Sequence, residues 1–263
     1  MQSKKIENID ELMKDQRFII SLSRGLNVLS CFTGVTEPLS HQQICEATGL
    51  AKATVTRLIF TLISMNYLIQ DSNGKYLLGR EAVLLSNTAF TQYDVVKLIS
   101  PQMLEFAEKY QVSVNLAIHQ AGMMTYLIAH RSPSKISVNL QAGSQIPLEQ
   151  TAIGRAYFAN SDTKTQKIIM DYIAERDHEQ IEKTQKNLEK HTDFYKKNGF
   201  SISHGDFSSE ILAIAVAIPS KDGAQVTYSL NASVPSGSWN EKEYIKYLET
   251  PLKQLALDIA DAI

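Results

Sequence analysis

The chain has little cysteine, no long apolar run and almost no net charge. Only Cys31 and Cys45 occur in 263 residues. Two thiols cannot build a disulfide framework, and no Cys-x-x-Cys pair or Cys/His cluster suggests zinc. Both lie among apolar helical positions, where buried reduced thiols are expected. No stretch approaches the ~18 apolar residues of a membrane-spanning helix. The opening "MQSKKIENIDELMKDQ" has no apolar core, so no signal peptide is read there and a cytosolic location is expected. A net charge of −2 gives the whole chain no polyelectrolyte character. Gly-x-Ser-x-Gly, P-loop and His-Glu-x-x-His motifs are missing, which removes the commonest signatures of an enzyme.

What is present divides unevenly. Residues 1–80 hold nine Lys/Arg against seven Asp/Glu, and residues 81–263 hold 17 against 21. A slightly basic head on an acidic body suits a DNA-binding module joined to something else. The length fits two domains, and 44% hydrophobic residues suffice for two cores.

Residues 1–14 are polar and read as a flexible arm. From Arg17, apolar residues recur at Phe18, Leu22, Leu26, Leu29 and Phe32, an amphipathic helix that ends at "TGVTEP". Ser40-His41-Gln42-Gln43 reads as a capping box opening a second helix, which Gly49 closes. A third helix spans about Ala51 to Met65, with Val55, Leu58, Ile59 and Leu62 inward. Ala53, Arg57 and Ser64 lie opposite, flanked by Thr54, Thr56 and Thr61, and the outward Phe60 has no role in this pattern. "NYLIQ" and "KYLLG" flank Asp71-Ser72-Asn73-Gly74, a hairpin-turn sequence. Three helices with a tight turn and then a hairpin make a winged helix-turn-helix over residues 15–79. Its third helix suits the major groove. Ser40, Lys52, Thr54, Thr56 and Arg57, with Asn73 and Lys75 on the wing, are the candidate DNA contacts. Lys52 suits a phosphate, and Arg57 to guanine would be the strongest base contact. A merely solvated helix face would leave the order of cap, turn, helix and wing unexplained.

Residues 80–96 read as a linker helix, and residues 97–110 continue helical. Strands are expected at Val112–His119, Met123–Arg131 and Ser137–Leu140. Helices follow at Thr151–Ala159, Thr163–Ala174 and His178–Asn198. Strands return at Phe200–Ser203, Ile211–Ile218 and Gln225–Val234, the last two joined through Asp222-Gly223, and a helix capped by Asn240 closes the chain. Residues 97–263 are therefore an α+β body with a mostly antiparallel sheet. His119 and His130 sit on neighbouring strands, but no third ligand is spaced to complete a metal site.

"SLSRGLNVLSCF", "LSHQQICEATGLAKATVTRLIFTL", "NYLIQ" and "GKYLLG" resemble the N-terminal domain of IclR-type bacterial transcription regulators. "GSQIPLEQTAIGRAYFA" resembles that family's Pro-Leu-His-Ala-Thr-Ala-x-Gly-Lys-Ala segment, and "GFSISHGDFSSEILAIAVAI" with "YSLNASVP" resembles its last strands. The match covers roughly residues 17–260. "FIISLSRGLNVLSCF" is nearest the branch controlling aromatic-acid catabolism.

The resemblance implies a GAF-like effector domain, a small carboxylic-acid ligand, double-stranded operator DNA as partner, and dimers, often paired into tetramers. No cofactor is implied. The helix beginning near Thr151 offers N–H groups and a positive dipole end to a carboxylate, at Ala152, Ile153 and Gly154. The opposite wall would be Ala213, Asn231 and Ser233, with Ser203 and Asp206 from the preceding loop. This chain departs from the family's usual Ser at Asn231, Asp near Ser203, Glu near Asp206 and Cys at Ala213. It also has Glu149 for the usual His and Ala217 for a Pro, so a different ligand is implied. Arg131 and Arg155 are candidate donors to the acid. Two other readings are a DNA-binding oligomer with a purely structural body, and a small-molecule hydrolase with a DNA-targeting head.

Overall fold

The protein was analysed as a computed structural model, which describes residues 15–33, 35, 37–92, 94–132, 140–219 and 226–263. The expected arm over residues 1–14, the turn at Gly34, most of the strand expected at 137–140 and the Asp222-Gly223 turn lie outside these residues. The chain divides into two compact units, Met1–Gln92 and Tyr93–Ile263.

In the first unit, α1 (Ile20–Ser30), α2 (His41–Thr48) and α3 (Lys52–Ser64) precede the antiparallel pair β1 (Leu68–Gln70) and β2 (Tyr76–Leu78), and then α4 (Arg80–Gln92). The α2 start is set by the anticipated capping box. The Ser40 Oγ accepts from the Gln43 N–H at 3.3 Å, and the Gln43 side chain accepts from the Ser40 N–H at 2.8 Å. Gly49 ends α2 with φ 65°, a conformation that costs a side chain but not glycine. The core gathers Val28, Phe32, Leu39, Ile44, Val55, Ile59, Leu62 and Leu68. The α1 stripe differs from expectation. The helix starts at Ile20, and Leu22 and Leu26 are 57% and 55% exposed. Among the described residues of this unit, the other helices and the hairpin bury only one strip of α1, and the N-terminal part of its apolar stripe stays exposed.

In the second unit, α5 (Asp94–Tyr110) leads into β3 (Ser113–Gln120), β4 (Met123–His130) and β5 (Gln145–Pro147). Then come α6 (Ala152–Ala159), α7 (Thr163–Arg176), α8 (Ile181–Asn198), β6 (Ser201–His204), β7 (Ile211–Ala217), β8 (Tyr228–Pro235) and α9 (Glu241–Ala262). The six strands form one antiparallel sheet in the order β5-β4-β3-β8-β7-β6. Strand β5 was not anticipated, because three residues ending in a proline carry too little alternation to read.

The sheet has two chemically distinct faces, a consequence of the two-residue strand period. One carries Val114, Leu116, Leu212, Ile214, Val216, Leu230 and Val234, packed with Ile99, Met103, Tyr244, Leu248 and Leu252 of α5 and α9. The other carries small and polar residues. Across β3, β8, β7 and β6, register aligns Ser113, Ser233, Ala213 and Ser203 in one row, and Asn115, Asn231, Ala215 and Ser201 in the next. Small side chains there let α6 approach the sheet.

Candidate DNA face and effector pocket

In the first unit, Lys52 opens α3 and is exposed, Thr54 is half-buried, and Arg57 is exposed. Among the described residues the Arg57 guanidinium makes no hydrogen bond or ion pair, so its five donors are available for an outside partner. Thr56 is more constrained than expected. Its hydroxyl donates to the Lys52 carbonyl at 2.9 Å and lies 3.0 Å from His41 Nε2. His41 Nδ1 lies 3.4 Å from Cys45 Sγ. With Thr56 donating to Lys52, the mutually consistent assignment has His41 Nε2–H donating to Thr56 and the Cys45 thiol donating to Nδ1. His41 thereby joins the first turn of α2 to the first turn of α3. This residue was not singled out beforehand, since its Thr56 partner is fifteen residues away. On the wing, Asp71 Oδ1 accepts from the Asn73 and Lys75 N–H groups at 2.9 and 2.8 Å, which holds both exposed side chains on a rigid turn.

In the second unit, a cavity of about 70 Å³ opens between the small-residue sheet face, the start of α6 and the 205–210 loop. Of the eight residues expected at an effector site, Ala152, Ser203, Ala213, Asn231 and Ser233 line it. Ile153, Gly154 and Asp206 do not. Ile153 is fully buried in the core under α6. Gly154 serves packing, because a Cβ there would collide with the Leu148 carbonyl, and its N–H is taken by the Thr151 hydroxyl at 3.3 Å. Asp206 instead pairs with Arg155 at 2.8 Å.

Arg155 is the unanticipated structural element. Its side chain is 3% exposed. Nε donates to the Glu149 carbonyl at 3.1 Å, and Nη1 donates to the Ile202 carbonyl at 2.9 Å and to Asp206. It pins the loop before α6 to β6 and is spent on protein; Arg131 is the charged residue among the described lining residues. Glu149 points elsewhere, held by both carboxylate oxygens to Arg176 at 2.8 Å. The two histidines of the sheet also have separate partners. His119 Nε2 accepts from the Gly122 N–H at 3.0 Å, and His130 bonds Ser100 at 3.0 Å. His191, beside Arg155, is driven down to about 4 by burial and by the Arg155 charge, with Lys190 adding to it and Asp206 opposing.

Two lining residues were missed, Asn115 and Tyr126. With Asn231 they form the cavity floor, Asn115, Tyr126 and Asn231 being 7%, 3% and 5% exposed. Asn115 Nδ2 donates to Asn231 Oδ1 at 2.8 Å. Burial pushes the Tyr126 hydroxyl well above the ordinary phenol range, and a hydrogen bond from Asn231 partly offsets this. Asn115 was legible in principle: Ser113, Asn115 and Ala117 alternate with Val114 and Leu116, the same pattern that pointed to Asn231 and Ser233. Among the described lining residues Arg131 carries the only charge. Among the described residues the lining therefore holds one cation and several neutral donors, and no carboxylate.

Comparison with known proteins agrees with this architecture. Residues 21–72 match the IclR helix-turn-helix domain model, and residues 87–261 match the model for the bacterial transcriptional regulator IclR C-terminal domain. The HTH-type transcriptional regulator TsaQ1/TsaQ2 of Comamonas testosteroni is 26% identical over 258 residues, 97% of this chain and 92% of that protein. The Pca regulon regulatory protein of Pseudomonas putida is 23% identical over 244 residues, 90% of this chain and 81% of that protein. Among solved structures, an IclR family transcriptional regulator from Brucella abortus superposes with TM-score 0.81 at 28% identity, covering 95% of both chains. An IclR homolog from Microbacterium hydrocarbonoxydans complexed with 4-hydroxybenzoate has the same fold, with TM-score 0.71 at 16% identity over 92% of this chain and 98% of that one. With a family model spanning two thirds of its length and the helix-turn-helix model ahead of it, this chain belongs to the IclR family of bacterial transcriptional regulators.

Proposed function

We propose that the protein is a ligand-responsive regulator of a catabolic operon, and that a small carboxylic acid bound in the second unit changes its hold on operator DNA. The observation that carries the ligand reading is the cavity itself: concave, lined by neutral donors, with Arg131 as the only charge among its described lining residues. Such a lining favours a monoanion, because desolvating the carboxylate is compensated by hydrogen bonds and one opposite charge. Thr151 uses its hydroxyl on Gly154 and Pro147, and the first N–H group of α6, at the lining residue Ala152, adds the helix's positive end.

The volume bears on ligand size. About 70 Å³ is roughly half of the ~150 Å³ that accommodates benzene. A compact acid fits, and an aromatic one requires the loop with half-exposed Phe207 to yield. The relatives named for the Pca regulon and the homolog holding 4-hydroxybenzoate keep aromatic acids in the screen.

For the DNA-binding part, Lys52, Thr54, Thr56 and Arg57 would enter the major groove, Ser40 would bring the α2 N-terminus to a phosphate, and Asn73 and Lys75 would follow the backbone from the wing. Self-association supports two such heads on a pseudo-palindromic site. Leu22, Leu26, Phe60, Met65 and Leu85 line a groove of about 1040 Å³ in the first unit that Thr54, Thr56 and Arg57 also line, and Phe60 is 72% exposed. A second copy that packs on Phe60 and leaves Arg57 open to DNA gives Phe60 the role it otherwise lacks. The working division is a head over 15–79, a linker over 80–96 and an effector domain over 97–263, in the cytoplasm where operator DNA is.

The deciding experiment is a thermal-shift screen of the purified protein against small aliphatic and aromatic carboxylic acids, followed by operator binding with and without each hit. A concentration-dependent rise in Tm and a matching change in DNA affinity support the reading. A purely structural body predicts no shift with any acid, and an enzyme predicts that the hit is consumed.

A further inference from the structure

The head holds a residue that the DNA face does not include but that acts on it. His41 is the first residue of α2, and the capping box at Ser40 and Gln43 fixes its backbone. Its ring is held on both sides. Nδ1 lies 3.4 Å from Cys45 Sγ on the same helix, and Nε2 lies 3.0 Å from the Thr56 hydroxyl on α3. Thr56 also donates to the Lys52 carbonyl at 2.9 Å. Thr61 and Ser64 make the same bond back along α3, to the Arg57 and Phe60 carbonyls, but among the described residues neither hydroxyl has a second partner. A threonine in a helix divides between two staggered positions. The second bond, coming from another helix, removes that choice for Thr56.

The consequence is chemical as well as geometric. A hydroxyl has one proton to give and two lone pairs. With His41 Nε2–H donating, the Thr56 proton goes to the Lys52 carbonyl; in the other tautomer of His41 it goes to Nε2. In both, the proton is spent within the protein. A base edge that offers acceptors, such as guanine O6 and N7, finds no donor at Thr56. What the exposed side chain keeps for a base is an oxygen held against Lys52 and His41, and a methyl group on the other branch of Cβ. The match to that methyl in the major groove is the C5-methyl of thymine. We infer that His41 is a positioning residue for operator recognition: it ties down the Thr56 hydroxyl, so that Thr56 reads a thymine by methyl contact. This rests on the reading of α3 as the helix in the groove and deepens it, naming the base that one position selects. A Thr56 with a rotatable hydroxyl would bond donors and acceptors alike and discriminate little.

The test uses the full-length protein and a randomised duplex library, from which bound sites are selected and sequenced for the unaltered protein and for variants at His41, Thr56 and Arg57. At one base pair of the selected site thymine is favoured about fivefold or more, the low end for one mismatched pair. Thr56→Val, which keeps the methyl and discards the hydroxyl, still favours thymine there; Thr56→Ser, which does the reverse, does not. His41→Leu, which fills the space of the ring without a donor, flattens the preference at that base pair and leaves the one that Arg57→Ala removes, a local change that loss of stability would not produce. His41→Gln restores it, because the Gln amide N–H stands where Nε2–H stands; Gln has no counterpart of Nδ1, so the rescue also separates the Thr56 contact from the Cys45 contact. Deoxyuridine in place of that thymine removes only the C5-methyl. In anisotropy titrations it weakens the unaltered protein about threefold or more, the scale of burying one methyl group, while Thr56→Ser binds both sites alike. A thymine preference that survives Thr56→Ser, is lost in Thr56→Val or is untouched by His41→Leu overturns the inference, as do failure of His41→Gln to rescue and indifference of the unaltered protein to deoxyuridine. In those cases a base preference that depends on Arg57 leaves the reading of α3 standing. If Arg57→Ala and both Thr56 variants select the same sequence as the unaltered protein, α3 is not the reading helix, and the inference falls with it.

Discussion

Replacing Arg155 by Met separates a structural pin from a ligand donor. The guanidinium is 3% exposed and makes bonds to the Glu149 and Ile202 carbonyls and to Asp206. Methionine fills much of the same volume, so the main loss is polar. Each carbonyl left without its charged donor costs about 1–3 kcal/mol. The Asp206 carboxylate is 45% exposed and rehydrates when released, so its share is about 1 kcal/mol or less. The sum is about 2–7 kcal/mol, centred on the ~3–5 kcal/mol found when one partner of a buried ion pair is removed. Trp239 offers a clean probe. It is the only tryptophan of the chain, lies in the second unit and stacks on Tyr247 with ring centroids 5.1 Å apart. Urea unfolding followed by its fluorescence reports the second unit alone. With a slope of about 2 kcal/mol per molar, the midpoint falls by about 2 M. Asp206→Asn, which keeps an acceptor for Nη1, moves it by less than half as much. A midpoint shift below about 0.5 M for Arg155→Met, accompanied by a large loss of acid binding, would refute the reasoning and return Arg155 to the ligand.

Arg57→Ala lowers operator affinity by about tenfold or more, the scale of one bidentate base contact, with no change in Tm; unchanged affinity in a fluorescence-anisotropy titration removes Arg57 from the interface. Gly154→Ala forces a Cβ against the Leu148 carbonyl and destabilises the second unit by about 1–3 kcal/mol in the same urea assay; a neutral result would mean that α6 moves freely off that loop. Asn231→Leu abolishes the acid-induced Tm shift and leaves operator affinity without ligand as it was, and an intact shift places the pocket elsewhere. His191 titrates near 4 in the fold against about 6.5 unfolded, so the unfolded chain binds more protons between those values. Stability from this group is complete above about pH 6.5 and is lost as pH falls toward 4, and His191→Gln flattens that part of the urea-midpoint profile; parallel profiles would show that the ring is not desolvated.

The head was largely legible because its signals are local. A capping box acts over three residues, a glycine C-cap at one, and the α3 stripe repeats within thirteen residues. The two faces of the sheet were legible for the same reason, since Ile211–Ala217 and Tyr228–Pro235 alternate small or polar residues with aliphatic ones. Where expectation missed, the cause was a partner far along the chain. His41 meets Thr56 fifteen residues on, and Asn115 meets Asn231 across 116. Arg155 stands in the sequence as one of two candidate ligand donors, because nothing in "TAIGRAYFA" announces the Ile202 carbonyl and Asp206 that absorb it.

The sequence by itself determined the element types, the order of cap, turn and wing, and which strand positions are small enough to bound a cavity, because propensity, capping and strand alternation are short-range. Only the tertiary structure decided which of those positions open onto the cavity, which charges are spent on the protein, and that Asn115 meets Asn231 in the cavity floor. Those depend on register between strands distant in sequence, which no local pattern specifies.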